Sequence, residues 1–162
     1  MPITYEPIAT TTLANATTLT VTFSSIPATY TDLVAVIAGT HTSALTAFSC
    51  DFNNVTSGGV YSRTVFIGDG SAASSARNSS QNNLFAGLLG TGQSNTIINI
   101  MNYSNATTYK TVLSRMNDAG NTVRALVGLW QDTAAINRID FTMANNYFGN
   151  GTTFTLYGIK AA

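Results

Sequence analysis

Apolar and polar residues alternate with a period of two along most of this chain, a pattern that builds half-buried β-strands and no amphipathic helix. In the run Thr18–Phe23, Leu19, Val21 and Phe23 fall on one face, and Thr18, Thr20 and Thr22 on the other. Ser24–Ala28 then interrupts the ladder, because Pro27 has no amide hydrogen to donate. Residues 32–38 follow as a more continuously apolar strand, as expected at the centre of a sheet. Similar signatures recur at about residues 47–53, 61–67, 83–89, 95–103, 107–115, 122–130, 136–143 and 152–159. Turn residues separate most of them: Gly58-Gly59, Gly68-Asp69-Gly70, Gly90-Thr91-Gly92, Asp118-Ala119-Gly120-Asn121 and Gly149-Asn150-Gly151.

About ten short strands with regular turns predict an all-β fold, an antiparallel β-sandwich that is jelly-roll-like rather than immunoglobulin-like. The immunoglobulin Cys and Trp framework is missing, since Cys50 is the sole cysteine. Two segments do not follow the alternation. Residues 1–16 predict an extended N-terminal arm ahead of a single sandwich domain at 17–162, and residues 70–83, rich in Ser, Ala and Asn, predict a long surface loop. An arm carrying Ile3, Tyr5 and Ile8 can dock on a neighbouring subunit by β-augmentation or form the first edge strand of its own sheet.

Charge narrows the function classes. Charged residues make up 9% of the chain against roughly 25% in ordinary soluble proteins, so the surface is predicted to be hydroxyl and amide. Seven basic and seven acidic residues balance, and no basic cluster exists to attract a phosphate backbone, which argues against a nucleic-acid partner. Such a surface has little colloidal repulsion and predicts a protein whose normal state is assembled. Edge strands are usually protected by lysine or proline, yet the chain has only Lys110, Lys160 and three prolines, two of them in the arm. Other subunits are therefore expected to cover the edges. One cysteine permits no intrachain disulfide. The longest apolar run, Leu33–Ala38, is too short to span a bilayer, and the N-terminus lacks a basic segment followed by an apolar one, so synthesis in the cytoplasm without a Sec-type signal is expected.

Candidate chemistry is sparse. His41 is the only histidine and is expected in an exposed loop; no Gly-x-Ser-x-Gly elbow selects a nucleophile to accompany it. Glu6 is the sole glutamate, and a carboxylate pair such as Asp51 and Asp140 is open to a glycosidase only if the fold sets it across a cleft. Asp51–Asn54 and Asp118–Asn121 carry oxygen ligands but do not continue into an EF-hand loop. Tyr61, Tyr103, Tyr109, Trp130, Tyr147 and Phe148 can in principle form a sugar-stacking platform, although Trp130, closing the apolar run Ala125–Leu129, reads better as core. No catalytic residue, metal or cofactor is expected.

Several phrases are distinctive: Tyr5-Glu6-Pro7-Ile8-Ala9-Thr10-Thr11-Thr12-Leu13, Ile26-Pro27-Ala28-Thr29-Tyr30-Thr31-Asp32-Leu33, Tyr61-Ser62-Arg63, Gly128-Leu129-Trp130 and Leu156-Tyr157-Gly158-Ile159-Lys160. In these, the chain resembles small virion structural proteins of tailed bacteriophages. The resemblance implies a non-enzymatic particle component, made in the host cytoplasm and located in the virion. It implies either a capsid decoration (cement) protein, or a tail-fibre or tail-tip domain binding host surface glycans. The absence of repeats or a coiled-coil shaft favours the cement role. The expected partners are the chain itself, as a homotrimer, and the major capsid protein or other virion proteins, with no nucleic acid and no membrane. Ile3, Tyr5, Ile8, Ser74, Arg77 and Asn78 are the expected contact residues.

Overall fold

A computed structural model describes residues 4–117 and 122–160. The fold is an all-β antiparallel sandwich. Twelve strands follow in order: β1 (Tyr5–Thr12), β2 (Thr20–Phe23), β3 (Asp32–Gly39), β4 (Thr46–Phe52), β5 (Tyr61–Gly68), β6 (Ala73–Gln81), β7 (Leu84–Leu89), β8 (Ser94–Ile100), β9 (Lys110–Asn117), β10 (Val123–Trp130), β11 (Ile139–Met143) and β12 (Thr153–Ile159). They form an eight-stranded sheet, β1-β12-β3-β8-β9-β10-β5-β6, packed on a four-stranded sheet, β2-β11-β4-β7. No helix occurs among the described residues. With the hairpins β5-β6 and β9-β10 set aside, the order is β1-β12-β3-β8 facing β2-β11-β4-β7, and the chain changes sheet at every step except β4 to β7.

The alternation read from the sequence matches the burial. Val21 and Phe23 of β2 are buried while Thr20 and Thr22 are exposed, and β9 and β12 repeat the pattern. Between the sheets, Phe48, Phe141, Phe148 and Phe154 meet in tilted and edge-to-face contacts with ring centroids 4.9–6.4 Å apart. A second aromatic group joins Phe52, Tyr61 and Trp130, all fully buried. The Tyr61 hydroxyl accepts from the Phe52 amide and donates to the Val55 carbonyl, so its polar end is satisfied inside the core. Trp130 is thus a core residue. Above it sits Lys110, also fully buried, its Nζ 5.9 Å from the ring and donating to the Thr108 and Thr133 carbonyls.

Two expectations need correction. The predicted arm is a strand: β1 pairs with β12 from Tyr5↔Ile159 to Thr12↔Thr153, so residues 5–12 are an edge strand of the chain's own sheet. A register shift between Pro7 and Ala9 lets proline sit on the ladder without breaking it. The predicted 70–83 loop contains β6, paired with β5 from Gly68↔Ala73 to Tyr61↔Gln81. Its residues are exposed on both faces, so it has no apolar periodicity to read. A local turn sets its register: Asp69 Oδ1 accepts from the Ser71 and Ala72 amides, and Gly70 supplies the positive φ of 88° the turn needs.

Removing the Trp130 side chain leaves a large void against Phe52 and Tyr61. Trp130→Ala is expected to lower stability by about 3–5 kcal/mol in urea unfolding. Gly158→Ala tests a tight approach, since a Cβ there would lie 2.3 Å from the Tyr30 ring. A loss of about 1–3 kcal/mol is expected from the forced shift.

Candidate functional site

A sandwich offers binding chemistry on its two outer faces and its sheet edges, and here the two faces differ. On the eight-stranded sheet the outward positions follow from the registers. Phe66 opposes Ala125, Val127 opposes both Thr64 and Leu113, and Leu129 opposes both Ser62 and Thr111. Val34 and Val36, with Ile97, continue the outward row across β3 and β8 toward Tyr157 on β12. This face therefore carries an apolar row flanked by polar outward positions at Ser62, Thr64, Thr111, Asn99 and Arg115, and no strand of the second sheet covers it. Val123 is 64% exposed, Phe66 52% and Val127 47%, and Tyr5 at the far edge is 56% exposed. A shallow groove of about 410 Å³ opens among Phe66, Ile67, Val123 and Ala125. Beside it, a second groove of about 280 Å³ runs past Thr64, Arg77, Val127 and Leu129. Single exposed apolar residues are ordinary, but Phe66, Val123 and Val127 lie together on two neighbouring strands, and such a row marks a candidate contact surface.

The expected contact residues are placed unevenly. Tyr5 lies on this face, edge-to-face with Tyr157 at 6.4 Å. Arg77 lies across from Thr64 on the same face, whereas Ser74 and Asn78 point to the other side of β6, opposite Ile67 and Arg63. All three are exposed on a strand rather than a loop. Ile8 is partly buried and packs against the core, which removes it from the contact set. Ile3 lies outside the described residues. The sequence reading missed Phe66, Val123 and Val127, because an apolar residue in a period-two strand is assigned to the core unless its register is known.

The four-stranded sheet has a polar outer face. Asp51 of β4 and Asp140 of β11 are direct cross-strand partners, and Thr22 of β2 opposes Asp140 from the other side. Arg138 chelates Asp140, its Nε 2.7 Å from Oδ2 and its Nη2 2.8 Å from Oδ1, and the Thr22 hydroxyl donates to Oδ1. Burial works against the charged form of Asp140, yet these hydrogen bonds and the Arg138 charge hold its carboxyl below the ordinary value. Asp51 has no such hydrogen bonds. It is 6% exposed, its Oδ1 is buried without a hydrogen-bond partner, and burial together with the Asp140 charge raises it to about 6, against the opposing pull of Arg138. The pair is adjacent on a sheet rather than set across a cleft. No group of three or more metal-ligating side chains occurs among the described residues.

The other candidates are structural in placement. His41 is buried, not in an exposed loop. Its ring nitrogens lie 2.9 Å from the Ala44 carbonyl and 3.0 Å from that of Asn145, and its backbone bridges to Phe148. With its amide donating to the Gly90 carbonyl, it ties three loops together. Tyr61, Tyr103, Trp130 and Phe148 are fully buried, leaving Tyr109 and Tyr147 exposed, so the sequence-predicted aromatic platform does not form. Of the two oxygen-rich runs, Asp118–Asn121 lies outside the described residues. In the other, Asn53 is committed to a turn, its Oδ1 accepting from the Asn137 and Arg138 amides.

Asp51 gives a signed pH dependence. Unfolded, its carboxyl loses its proton near 3.8; folded, it keeps it to about 6. The folded state therefore binds more protons in that window, and stability falls as pH rises from 3.8 to about 6, then levels off. Asp51→Asn is expected to remove this slope in urea unfolding and to stabilise the protein by roughly 1–3 kcal/mol at neutral pH. An unchanged slope would show that Asp51 titrates normally.

No family model matches the chain, and no curated protein matches it significantly.

Proposed function

We propose that the chain is a structural component of a tailed-bacteriophage particle, a capsid decoration protein that closes into a homotrimer and clamps neighbouring major capsid proteins. The observation that carries this reading is the apolar row on the outer face of the eight-stranded sheet, with Phe66, Val123 and Val127 about half exposed or more on a chain of zero net charge. Burying such a face stabilises an assembly at about 25 cal/mol per Å² of apolar area removed from water. The strand order also supports a jelly roll, a common fold of shell proteins, with β5-β6 and β9-β10 as added hairpins that widen one sheet. The phrases read as resembling phage virion proteins belong to the same reading.

In this reading the trimer forms through the wide sheet, and the exposed edges β1 and β6 take up strands or loops of the capsid lattice. Binding the assembled lattice and not free subunits stabilises the shell by mass action, and linked weak contacts add through avidity. The tail-tip alternative drew on loop aromatics, most of which lie in the core, so the shell role is the reading retained.

Sedimentation and light scattering of the purified protein are expected to give three times the chain mass. Val127→Asp, placing a charge at the middle of the face, is expected to give a folded monomer with little change in stability. A wild-type monomer at micromolar concentration would overturn the trimer.

A further inference from the structure

A guanidinium without an anion marks a second site, on the opposite side of the molecule from the apolar face. Arg63 points inward from β5, past the edge strand β7, and emerges beside the outer face of the four-stranded sheet. Its Cζ lies 4.9 Å from the centroid of the Phe85 ring. Its Nε is buried without a hydrogen-bond partner, and no ion pair joins it to a carboxylate among the described residues. Burial depresses its pKa, and no neighbouring charge offsets that effect. Arg63 is partly buried, and its Nε alone is cut off from both water and a partner, so an anion meeting the fork would satisfy a donor that the fold leaves unused.

The place where its partner should sit is built. A pocket of about 310 Å³ lies over Arg63, bordered by Ser49, Gln81, Asn83, Phe85 and Thr142. The volume is at the lower end of small-molecule sites, which begin at about 300 Å³, and suits one sugar unit or a small acid rather than a protein segment. Its polar lining is amide and hydroxyl, which pairs with sugar hydroxyls. Arg63 is the only charged side chain in it, and the planar fork of a guanidinium matches a carboxylate. The ring of Phe85 fixes that fork from one side.

We infer that this pocket binds a carboxylate-bearing sugar of the uronate type, held by Arg63 with Asn83 and Gln81 reading its hydroxyls. The site stands on the polar face, so it stays open when the apolar face is covered. It does not depend on the assembly proposed above.

The experiment titrates the full-length protein with glucuronate and, separately, with glucose, following amide and Arg side-chain resonances by NMR. Glucuronate is expected to shift the resonances of Arg63, Asn83 and Phe85 saturably, with glucose binding at least tenfold more weakly. R63K should weaken glucuronate binding by about tenfold through loss of the bidentate contact, R63M should abolish it, and N83A should weaken it several-fold. The melting temperature of R63M should stay close to that of the parent, because the guanidinium makes no ion pair; if it misfolds, R63K and N83A carry the test. Absence of saturable glucuronate binding at millimolar concentration overturns the proposal. So does binding of acetate or a short acidic peptide as tight as glucuronate, which would assign the pocket to an acidic side chain of a partner protein.

Discussion

Eight strands on one side and four on the other cannot cover each other evenly, and much of the molecule follows from that mismatch. The inner faces of β12, β3 and β8 have β2, β11 and β4 to pack on, through the Phe48, Phe141 and Phe154 layer. Past β8, strand β7 packs on β8, β9, β10 and β5, helped by Phe52 of β4 against Tyr61 and Trp130, and all six of its residues are buried. Leu84 approaches Gly128 so closely that a Cβ there would lie 2.6 Å from it. Beyond β5 no covering layer remains, and β6 is held by its ladder to β5 with nearly every side chain in water. The gap at the edge of β7 is the same one through which Arg63 reaches the polar face.

The parts of the fold that bury one face were legible in the sequence. The ten segments read from alternation all became strands, with three boundaries displaced by three residues: β9 begins at Lys110 rather than 107, β11 at Ile139 rather than 136, and the segment expected to run to Tyr103 ends at Ile100, where Asp32 caps the following turn through the Asn102 amide. Strands β1 and β6 escaped because neither carries a clean apolar face. One is a threonine-rich edge strand with proline at a register shift, and the other is exposed on both sides. His41 was misplaced for a related reason: its burial comes from long-range closure onto Asn145 and Phe148, which no local pattern encodes.

The candidate surfaces were less legible than the strands. Alternation tells which residues share a face but not which face of a wide sheet looks outward, so Phe66 and Val127 read as core. The Asp51 and Asp140 pair and the Arg63 pocket depend on registers between strands far apart in the chain. Composition, in contrast, carried real information. A surface of hydroxyls and amides with balanced charge is what most exposed positions show, interrupted by an apolar row on the wide sheet opposite the Asp51 and Asp140 side of the sandwich. That asymmetry suits a component fixed by one side to an assembly.

The central claim is that the chain works as a repeated part of a phage shell, and the number of copies per particle tests it most directly. Calibrated densitometry of purified particles should find this chain at a fixed fraction of the major capsid protein, near parity or a regular fraction such as one third. A few copies per particle would contradict the shell role and place the chain in the tail; its absence from particles would contradict a virion role altogether.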